Sequence, residues 1–286
     1  MEARVKVLTT LTIIMLAAAV LSAYSNYSEA RGDDVLILAE TPSIAADISL
    51  LACGNEEIII AVPQGADPHS FELPPSMYTH IKNADIIVVG PHSSAGHKLL
   101  SAARNLGVDT VSISEEAYKL GLEPGHEPQY NPEVLKALYT AIVERLSSAN
   151  PECSPQYEEV LDNIEYEIHD LSKYEGVLNG YTVVADLPYI SHIARWLGAE
   201  EVIIVSGEEG AIVIPMHKVE NALNSGSAIV FISVHGDRPA SRVSALLEEM
   251  AESVGTPVVH VKWPGVPEPT LYKLVEVARA VEEILD

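Results

Sequence analysis

The chain is poor in positive charge, in aromatic rings and in cysteine. Lys and Arg total 17 against 41 Asp and Glu in 286 residues, and aromatic residues make up 6%. An excess of 24 negative charges repels nucleic acid and anionic lipid while concentrating cations near the surface. Residues 1 to 30 carry two charges of each sign, so the whole excess lies in the rest of the chain. The same acidity also serves solubility by itself. Cys53 and Cys153 are the only cysteines, and they are not spaced as a metal-binding pair. A bridge between them is allowed in an exported protein, but so wide a separation says nothing about geometry. No G-x-S-x-G, H-E-x-x-H or phosphate-cradling loop occurs, so a metal-dependent hydrolase built on His69 and Asp186 lacks a supporting motif.

Arg4 and Lys6 precede an uncharged stretch of eighteen residues, Val7 to Tyr24, followed by a polar segment. This reads as a signal peptide or uncleaved membrane anchor over residues 1–30, at the lower length limit for spanning a bilayer. Ser28 and Ala30 offer the small side chains that a cleavage site needs. No Cys ends the apolar run, which excludes a bacterial-type lipoprotein anchor. Positive charge ahead of the run keeps that end in the cytoplasm, so the remainder is expected to be secreted or anchored on the outer face of the membrane.

Hydrophobic residues reach 48%, dominated by Ala, Val, Ile and Leu, which suits parallel strands covered by helices. Strand-like runs at Asp34–Glu40, Ile58–Val62, Ile86–Val89 and Thr110–Ile113 alternate with helical patterns at Pro42–Ala52, 75–83 and 95–106. Thr41 is placed to cap the first helix and Gly54 lies just past its end. From Pro132 to Val177 the pattern is helical, broken only at Asn150-Pro151. Alternation then resumes, with strands at Tyr181–Ala185, Glu201–Val205, Ala228–Ser233 and Val258–Val261. Helices are expected between and after them at Tyr189–Leu197, His217–Leu223, Ala240–Val254 and Thr270–Leu285. The expected fold is α/β, with two Rossmann-like lobes of mainly parallel sheets joined by one long helix: lobes at 34–150 and 180–286, and a linking helix at 151–179. Ligand residues belong at the C-terminal ends of strands in both halves, facing one crevice.

One segment is chemically specific. Residues 62 to 72 read V-P-Q-G-A-D-P-H-S-F-E, which sets His69 on a Gly/Pro-stiffened loop directly after the apolar run Ile58-Ile59-Ile60-Ala61. Gly65, Asp67, Pro68, His69, Phe71 and Glu72 match a G-x-D-P-H-x-[YF]-E loop, and the following P-P-S-M-Y-T-H-I-K-N-A-D-I-I-V-V-G continues the likeness. The chain resembles the zinc/manganese solute-binding protein family of ABC importers, over about residues 35 to 286 in element order. In that family the loop His is the first metal ligand, and a single long helix limits hinge motion between the lobes.

The resemblance implies three further ligand positions. The second is a His shortly before a helix-starting Pro. In G-H-E-P-Q-Y-N-P-E, residues 125 to 133, His126 sits one residue further from Pro132 than the family spacing, and Glu127 holds the matching place. The third follows the strand Tyr181–Ala185, where Asp186 matches if one residue is inserted afterwards and Leu187 falls there otherwise. His192, one turn into the next helix, is an alternate donor. The fourth is an Asp after the last strand, but here His260-Val261-Lys262-Trp263-Pro264 offers no acid, and Lys262 would repel a dication. His235, ending the preceding strand, could compensate or could be a turn residue beside Gly236. His92 and His97 are placed as rim residues, at a spacing poor for one helix face.

Nitrogen and oxygen donors held about 2.0 to 2.2 Å from a divalent ion replace the water it loses. The resemblance therefore implies a non-catalytic, monomeric protein that takes Zn²⁺ or Mn²⁺ as cargo with His69, His126, Asp186 and His235 and passes it to an ABC permease. Divergence at the third and fourth positions leaves open a relative that binds a non-metal solute or mediates protein contact.

Overall fold

A computed structural model describes residues 34–66, 68–90, 93–207 and 213–286. The expected export segment at 1–30, Asp67 and His92 lie outside the described residues. Strands β1 (Val35–Ala39), β2 (Glu56–Ile60), β3 (Ile86–Val89) and β4 (Asp109–Ser112) form a parallel sheet in the order β2-β1-β3-β4. Helices α1 (Pro42–Leu51), α2 (Met77–Asn83) and α3 (Ser94–Leu106) connect them. Thr41 caps α1 by accepting from the Ile44 amide. β2 starts two residues before the apolar run because it is an edge strand: Glu57 faces solvent, while Ala61 and Val62 are buried just beyond its end. A short helix after β4, α4 (Ile113–Lys119), has no counterpart in the hydrophobic pattern.

The second sheet contains β5 (Thr182–Ala185), β6 (Glu201–Ile204), β7 (Ala228–His235) and β9 (Val258–Lys262), all parallel, plus the two-residue antiparallel β8 (Arg238–Pro239). Helices α7 (Ile190–Trp196), α8 (Met216–Leu223), α9 (Arg242–Val254) and α10 (Thr270–Leu285) complete the α/β alternation. α9 begins two residues after the expected start because the Ala240 amide bonds back to Ser233 and Ser241 then caps the helix.

Between the sheets, α5 (Pro132–Ala149) and α6 (Ser154–Leu171) are separated by a 3-10 turn at Pro151–Cys153. The break at Asn150-Pro151 turns the helical stretch into two antiparallel neighbours that pack side by side. α6 has 18 residues, about 27 Å of rod. Its buried face, Tyr157, Ile164, Ile168 and Leu171, joins Leu138, Tyr139 and Ile142 of α5 in one apolar cluster. That cluster also takes in Ile37 and Ile48 from the first half and Val183, Val261 and Leu274 from the second. One core therefore runs through both halves, within a single compact unit spanning Val35–Asp286. Two further clusters fill the outer faces of the two sheets.

Three fastenings, two of them buried, reinforce the junction. Asp47 on α1 accepts from the Thr270 amide (2.6 Å), the Thr270 hydroxyl (2.8 Å) and the Tyr139 hydroxyl (2.7 Å). It thus caps α10, whose own N-cap, Pro269, has no side chain able to do so. Lys273 on α10 is fully buried and donates to the Ser43 hydroxyl on α1 and to the Val266 and Pro264 carbonyls. Cys53, past the end of α1, is disulfide-bonded to Cys153 in the turn between α5 and α6. Among the described residues, no helix is long and apolar enough to cross a membrane.

Candidate metal centre

In both sheets the strand order reverses beside the first strand of the half, between β1 and β3 and between β5 and β7. Such switch points open a crevice at the C-terminal strand ends. Each holds one buried acid. Glu40, immediately after β1, accepts from the Gly90 amide (2.6 Å) and from the Ser93 hydroxyl. Asp186, immediately after β5, accepts from the Ser233 amide (2.8 Å), the Ser233 hydroxyl (2.9 Å) and the Ser244 hydroxyl (2.6 Å). The two halves thus use the same device, a carboxylate that ties the central strand to its neighbour. Burial raises the pKa of both acids, with the serine hydroxyls and amides pulling the other way.

His69 follows β2 on an exposed loop that is held to the start of α3 by a bond from the Ala95 amide to the Pro68 carbonyl (3.2 Å). Its ring lies near that of His126, with centroids 6.2 Å apart and the planes tilted by 56°. Glu127, next to His126, has φ of 49°, the only positive value at a non-glycine among the described residues. Such a left-handed conformation is a strained one for glutamate and turns the loop sharply ahead of the 3-10 turn Pro128–Tyr130. Gln129 donates to the Glu127 carboxylate and is itself 2% exposed, its Oε1 having no partner among the described residues. Tyr130 closes the loop onto the second half by donating to the Lys262 carbonyl (2.9 Å).

The carboxyl of Glu127 is pushed up to about 7, chiefly by burial. The Gln129 hydrogen bond lowers it, Glu40 raises it by repulsion, and Lys273 and His69 lower it by attraction. Glu40 in turn feels His69. Two imidazoles and two carboxylates therefore share one electrostatic neighbourhood at the first switch point. Neutral imidazole and carboxylate are both ordinary ligands of Zn²⁺, and a carboxylate contribution favours harder ions such as Mn²⁺.

The expected site residues separate into those brought together and those not. His69 and His126 meet, and Glu127 stands beside them. His192 approaches from the second half: its Nε2 lies 3.1 Å from where a side-chain carbon on Gly125 would sit, and it bonds to the His126 backbone. Burial lowers its pKa to about 4, which keeps the ring neutral. Asp186 stands apart from these residues, after β5 in the second half. It is fully buried, and its two oxygens accept three bonds from Ser233 and Ser244. Leu187, the other reading of that position, is in the core. His235 is exposed at the end of β7 and lies against Trp263, with ring centroids 5.6 Å apart. From Trp263 a ladder of edge-on rings leads through Tyr189 to Tyr130, which puts His235 at the far end of an aromatic wall from the 125–130 loop. Lys262, expected to repel a dication, is paired with both Glu268 and Glu276 at 2.8 Å. No group of three His, Cys, Asp or Glu suited to a metal forms among the described residues.

Sequence reasoning missed Glu40 and Gln129. Glu40 carried a usable signal, an acid closing an otherwise apolar strand at the expected crevice. Gln129 carried none, since its burial depends on the turn that Glu127 makes.

Residues 43–268 match the sequence model of the zinc-uptake complex component A family, periplasmic. A Thermotoga maritima protein that bears a provisional metal-binding name is 24% identical over 212 residues, covering 71% of this chain and 76% of that protein. Among solved structures, ZnuA superposes with a TM-score of 0.65 at 17% identity, over 87% of this chain and 98% of its own. The manganese complex of FpvC from Pseudomonas aeruginosa superposes at 0.64 with 15% identity, over 88% and 99%. A cadmium-bound periplasmic metal-binding protein from Candidatus Liberibacter asiaticus gives 0.63 at 15% identity, over 88% and 100%.

Proposed function

The chain belongs to the zinc-uptake complex component A family, and from that membership we propose that it is an extracytoplasmic solute-binding protein that captures Zn²⁺ or Mn²⁺ as cargo for an ABC permease. The observation that carries this reading is the pair His69 and His126, with ring centroids 6.2 Å apart beside Glu127, near where the strand order of the first sheet reverses. In this role His69 and His126 are the first donors and Glu127 a carboxylate donor oriented by Gln129. Glu40 holds the crevice floor by joining β1 to the loop after β3. The reading takes the protein as a monomeric carrier without turnover, held outside the cytoplasm by the segment at 1–30.

The acidic surface supports the same role, because a field of this sign raises the local concentration of cations at the crevice. The test is calorimetric titration of the metal-free protein with Zn²⁺ and with Mn²⁺, repeated on His69→Ala and His126→Ala. Saturable binding near one ion per protein, weakened at least tenfold in each variant, is expected. Absence of saturable binding of either ion by the unaltered protein removes the reading.

A further inference from the structure

The loop at 125–130 carries His126 and Glu127 and lies, in sequence, in the first half, just ahead of α5. Its fastenings come from the second half. At one end the His192 ring, on α7, donates to the His126 carbonyl. At the other, the Tyr130 hydroxyl donates to the carbonyl of Lys262, the last residue of β9, over 2.9 Å. α7 also packs on the 3-10 turn Pro128–Tyr130, and the Tyr130 and Tyr189 rings meet edge-on with centroids 4.9 Å apart.

The segment held in this way is the strained one. Glu127 has φ of 49°, a conformation that a side-chain-bearing residue keeps only where its surroundings over-determine it. Two residues earlier, Gly125 has φ of 36°, and a side-chain carbon there would stand 3.1 Å from His192 Nε2. Glycine at 125 thus permits both the left-handed backbone and the close approach of the imidazole. His192 itself stands on a firm base, because Ile190 and Ile193 beside it on α7 are fully buried. A rigid element of the second half therefore grips the strained loop at the residue that bears a donor.

We propose that His192 is the positioning residue of the metal centre: by holding the His126 carbonyl it fixes the turn that sets His126 and Glu127 beside His69, and it acts on the ion through His126 rather than by ligating it. The inference rests on the metal-carrier reading above. Without this bond, residues 125–127 can leave the left-handed turn, and metal capture must then include the ordering of the loop, which is read as lost affinity. The arrangement also makes the ion a tie between the halves. His69 is carried by the first half, whereas His126 is held by the second.

The probe is Zn²⁺ alone, titrated into the metal-free unaltered protein, His192→Ala, His192→Gln and Gly125→Ala. Removal of a group that orients a metal ligand lowers affinity by about ten- to a hundredfold, so His192→Ala should bind zinc at least roughly tenfold more weakly. The Gln side-chain amide can donate the same bond, so His192→Gln should stay within about threefold of the unaltered protein. Gly125→Ala leaves α7 untouched and crowds Nε2 from the loop side, so it should weaken binding about as much as His192→Ala. At saturating zinc, X-ray absorption at the zinc edge should count the same number of imidazoles on the ion in all four proteins. One imidazole fewer in His192→Ala makes His192 a ligand and overturns the proposal. So does unchanged affinity in His192→Ala or in Gly125→Ala, or His192→Gln binding as weakly as His192→Ala, and each of these results leaves the carrier reading standing. No saturable zinc binding by the unaltered protein overturns both.

Discussion

Replacing Asp47 by Ala probes the joint between the two halves most directly. The carboxylate is 1% exposed and accepts three bonds, two from Thr270 and one from Tyr139, across a separation of 223 residues in the first case. Each bond to a charged acceptor contributes about 1.5 to 3 kcal/mol, and the loss is compounded because the donors stay buried without partners. One of those donors is the first amide of α10, so the variant also removes the only cap this helix has, worth about 1 kcal/mol. Lys273, fully buried and in the field of Asp47, loses its nearby counter-charge. Breaking a buried charged network by removing one partner costs about 3 to 5 kcal/mol, and that is the expected fall in unfolding free energy for Asp47→Ala. Asp47→Asn keeps the shape and one acceptor and should lose about half as much. Urea unfolding followed by circular dichroism and by Trp fluorescence measures both. Because one apolar cluster spans both halves, the two signals should change together in a single transition. A loss of under about 1 kcal/mol for Asp47→Ala, or two separate transitions in the unaltered protein, would refute the account of a common core closed by this joint.

Burial pushes the Glu127 carboxyl up to about 7, well above the usual carboxylate range, so the fold favours its protonated form. That contribution is fully present below about pH 4.5 and is lost as pH rises through about 7. The metal-free protein should therefore lose up to about 2 to 3 kcal/mol from this group between pH 4.5 and 8, the half-burial of the side chain reducing the full linkage value. Glu127→Gln should flatten that slope, as read from urea midpoints across the range. Reducing the Cys53–Cys153 bridge, which closes a separation of 100 residues, should cost about 4 to 5 kcal/mol on the chain-entropy model, seen as a lower melting temperature in the presence of dithiothreitol. Asp186→Ala leaves the Ser233 amide and two serine hydroxyls buried without an acceptor, so a stability loss of about 2 to 4 kcal/mol is expected. Its zinc affinity, measured well below the melting temperature, should stay within about threefold of the unaltered protein, since the bonds lost lie inside the second half.

What the sequence determined by itself is the local and periodic part of this protein. Apolar runs at Ile86–Val89 and Val258–Val261, the Thr41 cap and the Thr270–Leu285 helix are legible because they depend on propensity and spacing over a few residues. The loop bearing His69 is legible for the same reason, its Gly, Pro and His standing together in one stretch. Tertiary structure alone decided which groups meet. Asp186 and Glu40 occupy equivalent strand ends, and nothing near either residue says that serines from other elements will bond to both carboxylates. Gln129 is buried only because Glu127 turns the chain through a left-handed conformation, and α10 is capped from the far side of the molecule by Asp47. A side chain's partners are set by which elements the fold makes neighbours, and that choice is made by the shared core, not by the residues that flank it in the chain.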